Sequence, residues 1–246
     1  MRSGRRVCAA ASVAAAFVCF ICLATGRAWA GDDDVAHAIL FSGRDLWRNG
    51  AFAYGGMLYA PDGVEQDGLW FKLLLSGGLY RYSAGSLAGQ QVIGMEELAQ
   101  VLPGFRFTRA HFEAKIFMGP EYEYHRLWPD DPDNSLRGPA FGLRLAVDLW
   151  DEPTPDSMIA ADASLSTIGT NSSARLAFGW QVLDKEFYAG PETQVYGGDG
   201  YAQWRLGVHV TSFKTGEAEW SAAGGWAIDS DNRSSPYLRL GFMQRL

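Results

Sequence analysis

Cysteine is almost missing from this chain. All three cysteines, Cys8, Cys19 and Cys22, lie within the first 30 residues. From Gly31 onward the chain therefore has no disulfide, no cysteine nucleophile and no thiolate ligand for zinc.

Long apolar runs are also missing, apart from one at the start. Three arginines precede an apolar run over residues 7–24, and Ala28-Trp29-Ala30 offers a small-x-small cleavage site. This pattern predicts an export signal over residues 1–30 that is cleaved, and a single domain over residues 31–246. An uncleaved anchor is the alternative, although the run is shorter than the ~20 residues of a comfortable span. Without a second such run, the rest of the chain can enter a bilayer only as a closed barrel.

Positive charge is scarce. The whole chain has a formal net charge of −7, and the first 30 residues contain four arginines and no acidic residue. The remainder is more acidic still, which excludes a nucleic-acid partner because phosphate binding needs clustered Lys and Arg.

Spacings typical of catalytic and metal sites are missing as well. The four histidines, His37, His111, His125 and His209, form no His-Glu-x-x-His motif, and no Gly-x-Ser-x-Gly elbow occurs. The acidic runs at 130–133 and 229–232 lack the Gly and distal Glu of a calcium loop. We therefore predict a non-catalytic protein without metal or cofactor. One alternative stays open, because His209 has Thr211 on its own face and Ser212 next along, which would suit a barrel hydrolase with a Ser-His-acid arrangement.

Strict alternation of side chains is the main feature that is present. In residues 138–150, GPAFGLRLAVDLW, every second residue from Phe141 to Leu149 is apolar, and the residues between them are small or charged. A period of two indicates a strand whose faces meet different media. The apolar face would be core in a soluble sandwich and would face lipid in an outer-membrane barrel.

The same pattern recurs along the chain and favours the barrel. We count about ten to twelve strands of roughly 9 to 12 residues with short turns, which suits tilted membrane strands, whereas sandwich strands tend to have about 5 to 6 residues. Aromatic residues often fall near strand ends, as at membrane interfaces. The sequence therefore predicts an all-β fold, an antiparallel up-and-down β-barrel of the outer-membrane type. Residues 90–102 fit either a helical turn or a strand, which Pro103-Gly104 would end.

The polar faces predict a charged lumen. Small residues alternate there with single charges, which suits a crowded interior in which acids and bases pair. We expect these ion pairs to fill a narrow barrel, and the alternative is a polar path or a glycan contact surface. The predicted lumen-facing residues are Glu113, Lys115, Arg144, Asp148, Arg175, Arg205, His209 and Arg239.

A Gly-Pro-Glu sequence occurs twice, at Gly119-Pro120-Glu121 and at Gly190-Pro191-Glu192. Since proline removes a ladder donor, it usually lies at strand ends or bulges. We interpret the repeat as two related hairpins and not as a duplicated active site.

Several longer motifs resemble a known family. The segments FSGRDLWRNGAFAYGGMLYAP, DGLWFKLLLSGGLYRYS, LPGFRF, FMGPEYEYHRLWPDDPDNSLRGPAFGLRLAVDLW and YAGPE together resemble the bacterial cellulose biosynthesis protein BcsS family. The resemblance covers nearly all of residues 31–246. It implies an exported envelope protein linked with cellulose synthesis in proteobacteria, and it implies no catalytic residues.

The sequence thus predicts an outer-membrane barrel that assists cellulose biosynthesis, export or assembly. Its expected partners are outer-membrane lipid and, as a further possibility, cellulose or other components of cellulose synthesis. The alternatives are a soluble periplasmic protein that binds glucan, and a barrel hydrolase acting on lipid.

Overall fold

Twelve strands form where the side chains alternate, because a period of two lets each strand present an apolar face outward and a mixed face inward. The computed structural model describes residues 35–183 and 187–246, so the predicted export signal at residues 1–30 lies outside the described residues. The strands are β1 (Ala38–Trp47), β2 (Gly50–Tyr59), β3 (Gly68–Ala84), β4 (Gln90–Arg109), β5 (Phe112–Trp128), β6 (Gly138–Thr154), β7 (Ser157–Ser166), β8 (Ser172–Val182), β9 (Phe187–Gly198), β10 (Tyr201–Thr215), β11 (Ala218–Asp229) and β12 (Ser234–Arg245).

The strands close into one antiparallel barrel. Each pairs with its neighbours in the sequence, and β1 pairs with β12, with Ile39 opposite Arg245 and Trp47 opposite Tyr237. Closure leaves no unpaired sheet edge. The predicted up-and-down barrel is confirmed, and the strand number is the upper limit of the expected range.

The predicted strand lengths are too short for five strands, because β10 has 15 residues and β3 to β6 are longer still. Strands β3 to β6 have 17 to 20 residues. The ambiguous segment 90–102 is a strand, and Pro103-Gly104 does not end it, since β4 continues to Arg109. The pairing of β4 with β5 is interrupted between Gln100 and Gly104, whereas Pro103 keeps its place opposite Phe71 of β3. A proline without an N–H is tolerated where one of the two ladders is already open.

The outer surface of the barrel is an apolar band. Phe141, Leu206 and Val208 are 82%, 69% and 65% exposed. A packed sandwich would have buried these side chains. Trp128 and Trp226 lie toward one end of the barrel and Trp180 and Trp220 toward the other, and all are exposed, as in the aromatic girdles of outer-membrane barrels. Within the described residues no helix is both long and apolar enough to cross a membrane.

The two ends of the barrel differ in their connections. We call the end with Ala38 and Arg245 the terminal end, and the opposite end the loop end. The terminal end includes three two-residue turns and the longer connection 60–67. The loop end carries the connections 48–49, 85–89, 129–137, 167–171, 199–200 and 230–233. The longest of these, residues 129–137, shapes the site described below.

A pair of leucines tests whether the apolar band faces lipid. Leu206 lies within β10 and is 69% exposed, and Leu183 lies in a turn beyond β8 and is 70% exposed. We expect Leu206→Arg to lower the free energy of unfolding in lipid by ~2–4 kcal/mol, and Leu183→Arg to lower it by ~0–1 kcal/mol, because the cost of an outward arginine depends on membrane depth. Urea unfolding of the protein in lipid vesicles measures both values. Equal losses at the two positions would contradict a lipid-facing band.

Candidate functional site

The interior of the barrel has three levels along its axis. An apolar plug lies near the terminal end, a belt of ion pairs follows, and a cavity opens at the loop end. Barrels of about 8 strands are filled by side chains, whereas those of about 16 leave an aqueous channel. A twelve-stranded barrel lies between these sizes, so the side chains decide how much of the lumen stays open.

The terminal plug is a cluster of buried apolar side chains from five strands and one connection. Trp70, Leu102 and Phe117 are 0–1% exposed. The connection after β2 folds inward, because the N–H of Val64 donates to the carbonyl of Ala36 at 2.8 Å. The cluster consists of Ile39, Ala60, Val64, Trp70, Leu102, Phe117 and Ala146. These side chains pack with little exposure, as in a protein interior, and fill part of the lumen at this level.

Charged side chains cover the plug. Lys72 lies 5.3 Å from the centre of the Phe117 ring, and its ammonium donates to Asp148 at 3.3 Å. Lys115 lies 5.2 Å from the centre of the Trp70 ring and donates to Glu113. Cations over ring faces are attracted by the ring quadrupole. Three of the predicted lumen residues, Glu113, Lys115 and Asp148, therefore lie at this level.

The charged belt has one centre at Glu121. Its carboxylate accepts hydrogen bonds from Arg144 Nε at 2.6 Å, from Gln100 at 3.3 Å and from Ser166. Arg144 also lies 3.6 Å from Glu123. A carboxylate without exposure needs such a set of donors, because an unpaired buried charge is very costly.

The second centre of the belt is Glu192. Its carboxylate accepts hydrogen bonds from Arg239 at 2.7 Å and from Tyr237 at 3.2 Å, and Arg175 lies at 3.5 Å. Arg175 also donates to Asp162 at 2.6 Å. Both centres are the glutamates of the Gly-Pro-Glu repeats, so the repeat marks two equivalent anchors of the belt.

Arg205 connects the belt with the cavity. Its guanidinium donates to both carboxylate oxygens of Asp45, at 2.8 and 2.9 Å, and to Gln203 at 2.7 Å. The rings of Trp47 and Tyr196 lie 4.9 and 4.7 Å from its central carbon. Since β11 and β12 separate β10 from β1, this ion pair crosses the interior.

His209 lies inside the barrel but has no hydroxyl partner among the described residues. Its Nε2–H donates to the carbonyl of Phe178 at 3.1 Å, and the side chain is buried. Ser212 donates instead to Glu219 at 3.1 Å. Only Nε2 of this buried histidine is bonded to the backbone, since Nδ1 has no hydrogen-bond partner among the described residues. The described residues therefore supply no Ser-His-acid arrangement here.

The cup is a cavity of about 720 Å³ that opens at the loop end. Arg144, Glu123, His125, Asp45 and Arg205 form its floor. Aromatic rings stand on facing walls, and they belong to Trp47, Phe52, Tyr80, Tyr82, Tyr196 and Tyr201. The volume is within the ~300–1,000 Å³ of small-molecule sites.

A hydrogen-bonded chain runs along the floor of the cup. The hydroxyl of Tyr80 lies 3.1 Å from His125 Nδ1, and His125 Nε2 lies 3.2 Å from Glu123. Tyr80 reaches β5 from β3 because Gly94 of β4 lies between them, and a Cβ at Gly94 would come within 2.2 Å of the tyrosine ring. The glycine therefore fixes where the aromatic wall meets the floor.

Residues 129–137 fold across the mouth of the cup. Asp131 accepts hydrogen bonds from Ser86 at 2.6 Å and from Tyr82 at 2.7 Å, and Ser135 donates to Asp199 on the opposite side. The hydroxyls of Ser86 and Tyr82 hold the pKa of Asp131 below its ordinary value, so this carboxylate stays ionised at neutral pH. The connection thereby narrows the entrance without filling the cavity.

The cup is acidic. Seven carboxylates and three arginines line it. A surplus of carboxylates repels anions and favours neutral or cationic ligands. Within the described residues no group of His, Asp and Glu side chains is arranged to hold a metal ion.

The sequence-predicted residues divide among the three levels. Arg144, Arg175 and Arg239 lie in the belt, and Arg205 reaches from it to the cup. Only Arg144 and Arg205 of the predicted set also line the cup. Sequence reasoning missed the acids that hold these arginines and the aromatic walls. The Gly-Pro-Glu repeat could have indicated Glu121 and Glu192 as interior acids. In each repeat the glycine and the glutamate share the inner face of the strand, and the proline lies on the outer face.

Comparison with known protein families gives a match over most of the chain. The sequence model of the family described as cellulose biosynthesis protein BcsS matches residues 39–246. None of the curated proteins matches the chain.

Solved structures show a similar fold at low sequence identity. The COG4313 outer membrane channel from Pseudomonas putida F1 is 11% identical with a TM-score of 0.52, over 87% of this chain and 97% of that one. A KdgM porin in complex with disordered oligogalacturonate is 10% identical with a TM-score of 0.47, over 85% and 99%. LpxR from Salmonella typhimurium is 7% identical with a TM-score of 0.46, over 85% and 100%. At these identities the likeness to the P. putida channel shows the outer-membrane-type fold alone.

The buried ion pair of Arg205 gives a testable stability difference. We expect Arg205→Ala to lower the free energy of unfolding by ~3–5 kcal/mol, because it leaves Asp45 without its cation. Arg137→Ala is the matched control, since Arg137 pairs with Asp130 at 2.9 Å but both side chains are exposed, and its loss should be within ~1 kcal/mol. Chemical unfolding in detergent measures both. Adding Asp45→Asn to Arg205→Ala should recover part of the loss, and a similar loss in both single variants would contradict the role given to the buried pair.

The terminal plug predicts that the barrel does not conduct ions steadily. In planar bilayers we expect currents near the baseline for the wild type and clear openings for the Trp70→Ala/Phe117→Ala variant. Trp128→Ala/Phe141→Ala removes the same two residue types from the exposed outer surface and should behave like the wild type. Heat-modifiable migration on a gel confirms that each variant is folded. Steady wild-type currents equal to those of the plug variant would refute a sealed terminal end.

Proposed function

The chain belongs to the cellulose biosynthesis protein BcsS family, and on that premise we propose that it is a non-catalytic outer-membrane barrel that assists cellulose biosynthesis as a blind receptacle. The observation that supports this proposal is a cluster of buried apolar side chains near the terminal end together with a cavity that opens at the loop end. Glucan that met this barrel would enter the cup and could not pass through it. The assistance would therefore concern assembly of glucan outside the barrel, and transport through the lumen is not part of the proposal.

The loop end is the better candidate for the outer face of the membrane. Outer-membrane barrels have short periplasmic turns and longer extracellular loops. Three of the connections at the terminal end have two residues, whereas the loop end carries the nine-residue connection 129–137. In this orientation the cup faces the cell exterior, where exported glucan accumulates.

Two alternatives have less support. A soluble periplasmic protein would expose the apolar band to water, and contiguous exposed apolar surface of this extent is rare on soluble monomers. Among the residues that the structure describes, a lipid hydrolase built on His209 would have no hydroxyl partner, because the imidazole is bonded to the Phe178 carbonyl and Ser212 to Glu219.

Complementation of a deletion strain tests the proposal. We expect deletion to change cellulose yield or dye binding of the fibres, and both the wild-type protein and His209→Gln to restore them fully. Glutamine keeps an amide N–H that can donate to the Phe178 carbonyl but cannot act as a general base. Fractionation should recover the protein in the outer membrane.

Three results would reject parts of this proposal. Unchanged cellulose after deletion would reject the link with cellulose, and recovery in the soluble periplasm would reject the location. Failure of a folded His209→Gln protein to complement would reject the non-catalytic role.

A further inference from the structure

We infer that the cup is a binding site for the end of a neutral β-linked glucan, an inference that rests on the proposed function for the choice of glucan. The site consists of the aromatic walls, the polar floor and the acidic lining described above. Four observations carry the inference, namely the shape of the cavity, its rings, its hydrogen-bonding groups and its charge.

The shape of the cup admits a chain end and not a passing chain. Arg205, Arg144 and Glu123 form its floor, and the apolar side chains of the terminal plug lie nearer the terminal end. A volume of about 720 Å³ holds a short oligosaccharide and excludes a folded protein domain. A polymer can therefore place only its last sugar units inside.

The rings of the cup suit the faces of pyranose sugars. A pyranose with equatorial hydroxyls has apolar C–H faces and a polar edge, so it packs on aromatic rings while its edge forms hydrogen bonds. Tyr80 and Tyr82 lie on β3. Tyr196 lies near the end of β9 and Tyr201 at the start of β10, on the far side of the ring of twelve strands. A sugar between these walls would meet rings on two sides. Tyrosine serves such sites well because it joins a large apolar area to a polar tip.

The polar groups of the cup match the hydroxyl edge of a sugar. Asn49, Asn171 and Gln203 bring amides, which both donate and accept hydrogen bonds, to the cavity lining. Asp133 and Asp231 lie near the mouth, and carboxylates accept hydrogen bonds from paired hydroxyls. Specific sites of this kind combine apolar walls with a few placed polar groups.

The charge of the cup selects against acidic polysaccharides. Seven carboxylates and three arginines line the cup. Two of those arginines are already bound to Asp45 and Glu121, so the lining offers no cluster of free cations to an anion. A uronate polymer would meet net repulsion. A neutral glucan would not.

Binding of cellohexaose to the detergent-solubilised protein tests the inference. Isothermal titration calorimetry should detect cellohexaose and should show at least tenfold weaker binding of hexagalacturonate and of maltohexaose, the α-linked isomer. No binding of cellohexaose would overturn the inference. Equal affinity for maltohexaose would overturn the assignment to β-glucan, and preference for hexagalacturonate would overturn the argument from charge.

A matched pair of tyrosines locates the site. Tyr201 lines the cup and is 37% exposed, whereas Tyr59 is 41% exposed near the terminal end. Tyr201→Ala should weaken cellohexaose binding at least about fivefold, as expected for truncation of an aromatic contact, and Tyr59→Ala should leave it unchanged. Tyr201→Phe should retain most of the affinity, because it keeps the ring. Equal affinity in both alanine variants, each shown to be folded by gel migration, would overturn the placement in the cup.

This experiment separates the inference from the proposed function. A protein that restores cellulose in the deletion strain but binds no cellohexaose would keep the proposed function and reject the glucan site. A protein that binds cellohexaose but whose deletion leaves cellulose unchanged would keep the binding site and reject the role in cellulose biosynthesis.

Discussion

Charge pairing across the interior is the constraint on which this barrel depends. The lumen contains carboxylates with almost no exposure, such as Glu121, Glu123 and Glu192, and an unpaired charge at such a place costs several kcal/mol. Several of the pairs connect strands that are not neighbours, as Arg205 does with Asp45 and Arg239 with Glu192. Such bonds hold these strands at a fixed separation, because the barrel cannot widen or flatten without breaking them. The cross-section of the cup is therefore set by the same groups that make the interior stable.

The order of the three levels explains why the cavity lies at only one end. Near the terminal end the inward positions carry large apolar rings, Trp70 and Phe117, together with a connection that folds inward at Val64. Near the loop end the rings stand against the walls and away from the axis. Tyr80 lies flat over Gly94 and bonds to His125, and Trp47 stacks on Phe52 at 5.6 Å between ring centres. Arg144 and Arg205 belong both to the floor and to the belt, so the site cannot be altered there without a cost in stability.

Alternation along the strands predicts which side chains face outward and which face inward. It does not predict which of the inward side chains pair with one another. The period of two in residues 138–150 is sufficient to separate Leu143 from Arg144, because lipid and lumen impose opposite chemistry on adjacent residues. It says nothing about which strand faces which across the lumen, so Arg205 was predictable as an interior cation but Asp45 was not predictable as its partner. The prediction that Pro103 ends the strand was wrong, because an interruption in one of the two ladders lets β4 continue past the proline. The cup itself depends on the registers that bring Tyr80, His125 and Glu123 together, and register is a property of the closed sheet.

Under the proposed function, the cup suits many weak contacts with glucan chain ends better than one tight contact. A cavity that takes only the last sugars of a chain gains affinity from few rings and hydrogen bonds, and part of that gain is offset by the entropy lost on binding. A fibre, however, presents many chain ends, and a membrane presents many copies of the barrel. Binding at one end raises the effective concentration of its neighbours, so avidity can exceed single-site affinity by ~10²–10⁴ without any new contact. Under the proposed function, the apolar plug near the terminal end suits the role, because a receptacle at the surface has to hold glucan and release it and does not have to conduct it.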